Sequence, residues 1–141
     1  MQEHKIERTI TEVVYVPAHA KRIESKEFKV AKRRLKSDGH YKCFVGADCE
    51  GELEVHHFGC EYSLWNDCDP EKLKEYLELW DIYGYSKLLK HMPITSVDDI
   101  RNLMVLCRKH HIEKDTGIHM STLPVWNIQK LCLAGKDPVH E

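Results

Sequence analysis

Short stretches of patterned apolar residues, separated by polar turns, predict the elements of this chain. Phe28, Ala31 and Leu35 recur at helical spacing behind a possible N-cap at Ser25, and Gly39 lies just beyond the last of them. The intervening positions are almost wholly basic. This region therefore predicts an amphipathic helix with one apolar face and one basic face.

The clearest helical pattern is DPEKLKEYLELWDIYG, residues 69–84. Asp69 is a suitable N-cap and Pro70 a suitable first helical residue, and a helix is predicted over residues 70–83. Its apolar positions recur at helical spacing and are Leu73, Tyr76, Leu77 and Trp80.

The other patterned stretches are shorter. Three of them, rich in β-branched or continuous apolar residues, predict strands: TITEVVYVP at 9–17, ELEVHH at 52–57 and IRNLMVLC at 100–107. Three more predict helices: SKLLKHMP for one or two turns, RKHHIEKDTG as far as Gly117, and TLPVWNIQKLCLAG before Gly135. This mixture predicts an α+β fold.

Length and composition favour a single intracellular domain. At 141 residues the chain can bury one modest core. It contains no run of 18 apolar residues that would cross a bilayer and no apolar segment typical of a secretory signal near its start. Six cysteines and ten histidines without an export signal favour metal binding in a reducing compartment over a disulfide framework.

Charge is distributed unevenly along the chain. Residues 1–42 carry 11 Lys and Arg against 6 Asp and Glu, whereas residues 43–100 carry 4 against 13. The basic first third, with Arg33 and Arg34 in its helix, is suited to phosphates, and the acidic middle would face away from them. A solvated helix face is the simpler alternative for such a run.

Four residues have the chemistry of a structural zinc site. Cys43 and Cys49 flank a predicted turn, so their sulfurs can converge, and Cys107 with His110 forms a Cys-x2-His pair at a strand end. Together they make a tetrahedral Cys3His set. Zinc binding to such a set contributes roughly 10 to 16 kcal/mol of apparent folding free energy. The alternative is buried free thiols with incidental histidines.

Further motifs adjoin this set. LEVHH (53–57) ends in a pair of histidines, RNLMVLC (101–107) places Asn102 at the start of a strand, and RKHH (108–111) places His111 after His110. In this arrangement the chain resembles the HNH endonucleases, the ββα-metal or His-Me finger superfamily, and is most similar to small zinc-containing HNH proteins of phages and prophages. The resemblance covers roughly residues 25–120.

The resemblance implies a role for each motif residue. His56 and His111 would bind a divalent cation, His57 would be the general base, and Asn102 would brace the loop between the strands and help orient His57. Because a helix turns about 100° per residue, His110 can face the zinc while His111 faces the second metal. The cation's remaining ligand would be Asp115 or, less favourably, His119, because Gly117 is expected to end the helix before it.

The same resemblance implies an organisation and an activity. Residues 1–24 would be an N-terminal arm, 25–135 a zinc-stabilised HNH-type domain with a helical insertion at 61–97, and 136–141 a flexible tail. The function implied is Mg²⁺-dependent or other divalent-metal-dependent hydrolysis of DNA, with Arg101, Arg108 and Lys109 contacting phosphates. We expect a phage-encoded, low-specificity enzyme in the host cytoplasm. The alternative is a catalytically weak or silent HNH-like zinc module that binds DNA or a host protein, and the acidic insertion is a candidate surface for a phage or host protein.

Overall fold

The computed structural model of the chain describes residues 1–46 and 49–139. Helices and a two-stranded antiparallel sheet make up the fold, so the predicted α+β class is confirmed. In chain order the elements are α1 (Lys26–Ser37), β1 (Leu53–His57), a 3-10 helix (Tyr62–Asp67), α2 (Pro70–Leu79), α3 (Tyr85–Leu88), a second 3-10 helix (Ile100–Asn102), β2 (Leu103–Cys107), α4 (Arg108–Ile112) and α5 (Leu123–Leu131).

Strand β2 lies between two hydrophobic clusters, and alternate side chains along it point into one or the other. Leu53 pairs with Cys107 and His57 with Leu103 in the antiparallel register. All five residues of β2 are buried, which explains why its sequence is continuously apolar rather than alternating. Leu103 and Val105 pack against α1, whereas the residues between and after them, Met104 and Leu106, pack against Trp126 of α5.

Helix α1 forms as its sequence predicts. Ser25 is the N-cap, and its hydroxyl accepts a hydrogen bond from the Phe28 N–H at 3.0 Å. The three buried residues of α1 are Phe28, Ala31 and Leu35, the apolar positions of the pattern. The basic face of this helix is therefore turned outward.

The segment between the strands contains α2 and α3. Asp69 caps α2 as predicted, but the helix ends at Leu79 rather than near residue 83. The Asp81 carboxylate accepts hydrogen bonds from the backbone N–H groups of Ser86 (3.0 Å) and Lys87 (2.9 Å), so it begins α3 instead of continuing α2. Of the predicted apolar positions in α2, Leu73 and Leu77 are buried, whereas Tyr76 and Trp80 are exposed.

The strand predicted at 9–17 is wrong. Residues 1–25 form neither helix nor strand, and residues 1–16 are exposed throughout. The end of the arm is anchored, because the carbonyls of Ala18 and Ala20 each accept a 2.7 Å hydrogen bond, from Asn66 and Tyr62 respectively. Ala47 and Asp48 of the predicted turn, and the last two residues of the predicted tail 136–141, lie outside the described residues.

A transmembrane helix is not found in the described part of the chain. Its helices are all too short or too polar to cross a bilayer.

Candidate metal centres

The four residues of the predicted zinc set converge on one point. The His110 Nδ1 atom lies 3.7 Å from the Cys43 sulfur, 3.4 Å from that of Cys49 and 3.2 Å from that of Cys107. Tetrahedral zinc with Zn–S of about 2.3 Å and Zn–N of about 2.0 Å would set sulfur and nitrogen about 3.5 Å apart. All four ligand atoms lie within 4.8 Å of one another, so the group can hold a metal ion.

Electrostatics in this cluster favour a bound cation. Burial opposes ionisation of the Cys43 thiol, yet hydrogen bonds from His110 and from backbone N–H groups lower its pKa to about 6. Burial and the charge on Cys43 raise the pKa of Cys49 to about 12. A second thiolate is therefore unfavourable beside the first unless a positive ion compensates both charges.

A second group of possible metal ligands consists of three histidines. His56 comes from β1, His111 from α4 and His119 from the loop that follows, and their ligand atoms lie within 4.8 Å of one another. The Nε2 atoms of His111 and His119 are 3.2 Å apart. Imidazole nitrogens bound to one metal at about 2.0 to 2.1 Å would be about 3.0 to 3.4 Å apart. The geometry therefore fits a shared cation.

His119 reaches this group because α4 ends early. The helix predicted to run to Gly117 ends at Ile112, and the chain turns back so that the His119 N–H donates to the His111 carbonyl at 3.2 Å. Only glycine fits at position 117, where a Cβ would lie 2.8 Å from backbone atoms of His111, Ile112 and Glu113. The short turn thus delivers a third imidazole.

The choice of Asp115 over His119 is corrected by this geometry. Asp115 was expected on the same helical face as His111, but it lies beyond the end of α4, is exposed and has a left-handed backbone with φ of 69°. It is not a member of the histidine group.

Two carboxylates orient the outer histidines. Nδ1 of His111 lies 2.9 Å from Glu54 Oε1, and Nδ1 of His119 lies 3.2 Å from Glu61 Oε1. In a neutral ring, a proton on the nitrogen that faces the carboxylate leaves Nε2 free to bind a metal, so both Nε2 atoms are placed to bind one shared cation. This pairing of carboxylate with histidine is common around metals in proteins.

The surroundings of His56 and His119 favour their neutral forms. Burial, with the neighbouring His119 and His111, lowers the pKa of His56 to about 3. Burial also lowers the pKa of His119, partly opposed by Glu61. Neutral imidazole is the form that binds metals, so protons compete weakly at these two positions.

His57 lies on the other side of β1 from His56. Its ring faces α1, with its centroid 6.0 Å from that of Phe28, and its Nε2 atom lies 2.8 Å from Asp98 Oδ1. Burial lowers the pKa of His57, although Asp98 opposes this shift. At the end of the strand His56, His57 and His119 nevertheless line one cavity of about 570 Å³.

Asn102 braces the start of the connection between the strands. It is fully buried, and its Oδ1 accepts hydrogen bonds from the N–H groups of Gly59 (2.8 Å) and Cys60 (3.0 Å). Its Nδ2 donates to the carbonyls of Cys60 (2.9 Å) and Val97 (2.8 Å). All four hydrogen bonds of the Asn102 amide are to backbone groups, so this side chain fixes the backbone that follows His57.

Of the predicted phosphate-binding residues, Arg101 is misassigned. It is buried, forms two 2.8 Å hydrogen bonds to the Asp99 carboxylate, and donates its remaining protons to backbone carbonyls of residues 89, 92 and 93. No donor is left for a phosphate. Arg108, Lys109 and Arg33 are exposed, and the Arg108 guanidinium lies 3.6 Å from the carboxylate of Glu54, which orients His111. Arg34 is half-buried against Tyr85.

Sequence reasoning missed the residues that orient the histidines. Asp98 lies 41 positions from His57, and Glu54 lies 57 positions from His111, so no local spacing signals either contact. Glu61 is likewise far in sequence from His119. Only the fold shows which acidic residues of the middle segment face the site.

Comparison of the chain with family models, with curated proteins and with solved structures gave no significant match.

Proposed function

We propose that this chain is a metal-dependent endonuclease of the HNH type, which hydrolyses DNA phosphodiester bonds with little sequence specificity. The observation that carries the proposal is the cavity in which a candidate base, His57, adjoins the three-histidine metal group. We further propose that the protein is phage-encoded and acts in the bacterial cytoplasm. A module that needed only a structural zinc would have no use for the second group.

The proposed mechanism assigns proton transfer to His57 and charge stabilisation to the metal ion. His57, which is neutral at physiological pH because burial lowers its pKa, accepts the proton of the attacking water. A divalent cation held by His56, His111 and His119 would stabilise charge on the phosphate and on the departing 3′ oxygen. Products would carry a 5′ phosphate and a 3′ hydroxyl group.

The donor set bears on which ion is used. Three neutral imidazoles suit Zn²⁺ and other transition ions, whereas Mg²⁺ prefers carboxylate and water oxygens. We therefore propose that a transition metal binds at the histidine group more tightly than Mg²⁺, and that Zn²⁺ occupies the Cys3His group.

Exposed cations near the site would hold the DNA backbone. Arg108 and Lys109 lie at the start of α4, next to the histidine group, and Arg33 lies on the basic face of α1. Arginine and lysine supply most contacts to phosphates, and these contacts position DNA without reading its sequence. This arrangement supports the proposed low specificity.

The direct test is cleavage of supercoiled plasmid with Mg²⁺, Mn²⁺, Ni²⁺ or Zn²⁺ added separately. We expect nicked and then linear DNA, and a loss of about 100-fold or more in the His57→Ala variant. His91→Ala is the matched control, because His91 is exposed and lies at a separate cavity beside α2. Equal rates for the wild type and His57→Ala would show that the base is assigned wrongly or that a contaminant cuts.

The alternative function is an HNH-like zinc module that binds DNA or a host protein without cutting. The exposed carboxylates of α2, Glu71, Glu75 and Glu78, favour it, because they offer a basic partner a surface away from the histidines. A wild type that binds plasmid but never nicks it, with any of the four metals, would favour this module over the enzyme.

A further inference from the structure

We propose that Asp98 is the positioning residue for His57, and that Arg22 of the N-terminal arm holds Asp98 in place, so the arm completes the active site. This inference rests on the proposed nuclease function. It adds two residues that lie outside the HNH-like motifs described above.

The carboxylate of Asp98 is the centre of a buried polar network. Asp98 is 2% exposed, and its Oδ1 lies 2.8 Å from His57 Nε2. Arg22 donates two hydrogen bonds of 2.9 Å, one to each carboxylate oxygen, and the Ser25 hydroxyl donates a third of 2.7 Å to Oδ2. The Asp98 carboxylate accepts all of these hydrogen bonds, and together they fix its orientation.

This contact determines which nitrogen of His57 acts as the base. An ionised carboxylate can only accept hydrogen bonds, so Nε2 of the neutral ring must carry the proton. The lone pair is then on Nδ1, and this atom is the one that can receive a proton from water. When it does, the imidazolium remains beside a desolvated negative charge, which stabilises it more than solvent would.

Arg22 links the arm to this network. Its guanidinium lies over the rings of Phe28 (5.0 Å) and Tyr62 (5.2 Å), and the adjoining arm carbonyls accept the hydrogen bonds from Tyr62 and Asn66 described above. Residues 1–16 are exposed, so the arm packs onto the domain only near the point where Arg22 reaches Asp98. The anchored part of the arm thus has a defined task in orienting His57.

The first test compares Asp98→Asn with Asp99→Asn. An asparagine can donate to His57 Nε2, which moves the ring proton to Nδ1 and removes the base, so we expect kcat to fall about 100-fold or more with KM changed less than about twofold. Asp99 is a matched control, since it is the adjacent residue, is likewise paired with an arginine and does not contact His57. Equal losses per folded protein in both variants would overturn the proposal.

A double-mutant cycle separates positioning from general damage. If Asp98 acts through His57, then Asp98→Asn has no further effect on kcat once His57→Ala is present. A full second loss in the double variant would show that Asp98 acts elsewhere. Arg22→Gln is expected to reduce kcat about tenfold, whereas its exposed neighbour variant Lys21→Gln should not.

A spectroscopic measurement tests the geometry independently of cleavage. In long-range ¹H–¹⁵N spectra of histidine-labelled protein, the wild-type His57 ring should show a protonated Nε2 and an unprotonated Nδ1, reversed in Asp98→Asn. The opposite wild-type tautomer overturns the positioning role even if the protein cuts DNA. If the protein shows the expected tautomer but never cuts DNA, the proposed nuclease function is overturned. The role of Asp98 in catalysis is then overturned as well.

Discussion

Replacement of Asn102 by alanine should strongly destabilise this protein. The side chain makes four hydrogen bonds to backbone and is fully buried. Its loss leaves four backbone groups without their partner. Gly59 is exposed, so its N–H can return to water, but the two groups of Cys60 and the carbonyl of Val97 lie in buried residues.

The expected magnitude follows from these three groups. Each buried polar group left without a hydrogen bond costs about 1 to 3 kcal/mol, and partial access of water to the new cavity reduces the total. We expect Asn102→Ala to lower the free energy of unfolding by about 3 to 5 kcal/mol, out of the roughly 5 to 15 kcal/mol of a typical domain. Part of any loss of activity in this variant would then be a loss of folded protein.

Urea unfolding of zinc-saturated protein, followed by tryptophan fluorescence, measures this change. Asn66→Ala is the matched control, because Asn66 is exposed and makes a single hydrogen bond to Ala18, so we expect a change below about 1 kcal/mol. If Asn102→Ala unfolds at the same urea concentration as the control, the backbone after His57 is held by something other than this amide.

Three further predictions concern metal and pH. Cys107→Ala should lose one equivalent of zinc and unfold at lower temperature, whereas Cys132→Ala should keep its zinc by atomic emission; equal zinc contents would contradict the Cys3His site. In titrations with Ni²⁺, His119→Ala should lose one binding equivalent and Asp115→Ala should not, and the reverse result would restore Asp115 as the ligand. Burial lowers the pKa of His56 to about 3 in the folded state, against about 6.5 for a free ring in the unfolded chain, so between these pH values only the unfolded chain protonates the ring. Between those values the contribution of this ring to the free energy of unfolding should therefore decrease by about 1.4 kcal/mol per pH unit as pH falls. His56→Gln should make that dependence shallower by one proton, and an unchanged slope in urea unfolding would argue against a neutral buried ring.

Local patterns predicted the elements whose stability is local. The apolar positions of α1 and the caps at Ser25 and Asp69 were all read from neighbouring residues, and each is present in the structure. The strand predicted from the apolar run IRNLMVLC is present as β2, and the structure shows that all five of its residues are buried. The pairing of two half-sites on either side of the insertion was also predicted, because cysteine and histidine together have few common structural uses.

Features that depend on distant parts of the chain were not predicted. The β-branched segment 9–17 has the composition of a strand, but a strand needs a neighbour to satisfy its backbone, and none pairs with it among the described residues. Arg101 has a side chain of the type that binds phosphates, yet its guanidinium donates to backbone carbonyls at the end of the insertion. Both mistakes assigned a role from residue type where the fold decides it.

The early end of α4 had a similar origin. The spacing of residues 108–117 suits a longer helix, and only the close packing around Gly117 shows that the chain must turn back there. Because of that turn, His119 and not Asp115 lies beside His56 and His111. A glycine two residues before a histidine was the one local signal of this arrangement.

The adjacency of His110 and His111 makes the two centres interdependent. They are neighbours on a helix of five residues, and one belongs to the sulfur-rich group while the other belongs to the imidazole group. Release of the ion from the first group would free α4 from Cys43 and Cys49, and the second group would lose its alignment at the same time. If zinc fills the sulfur-rich group, as we propose, zinc supply would also set how many chains have the imidazole group aligned.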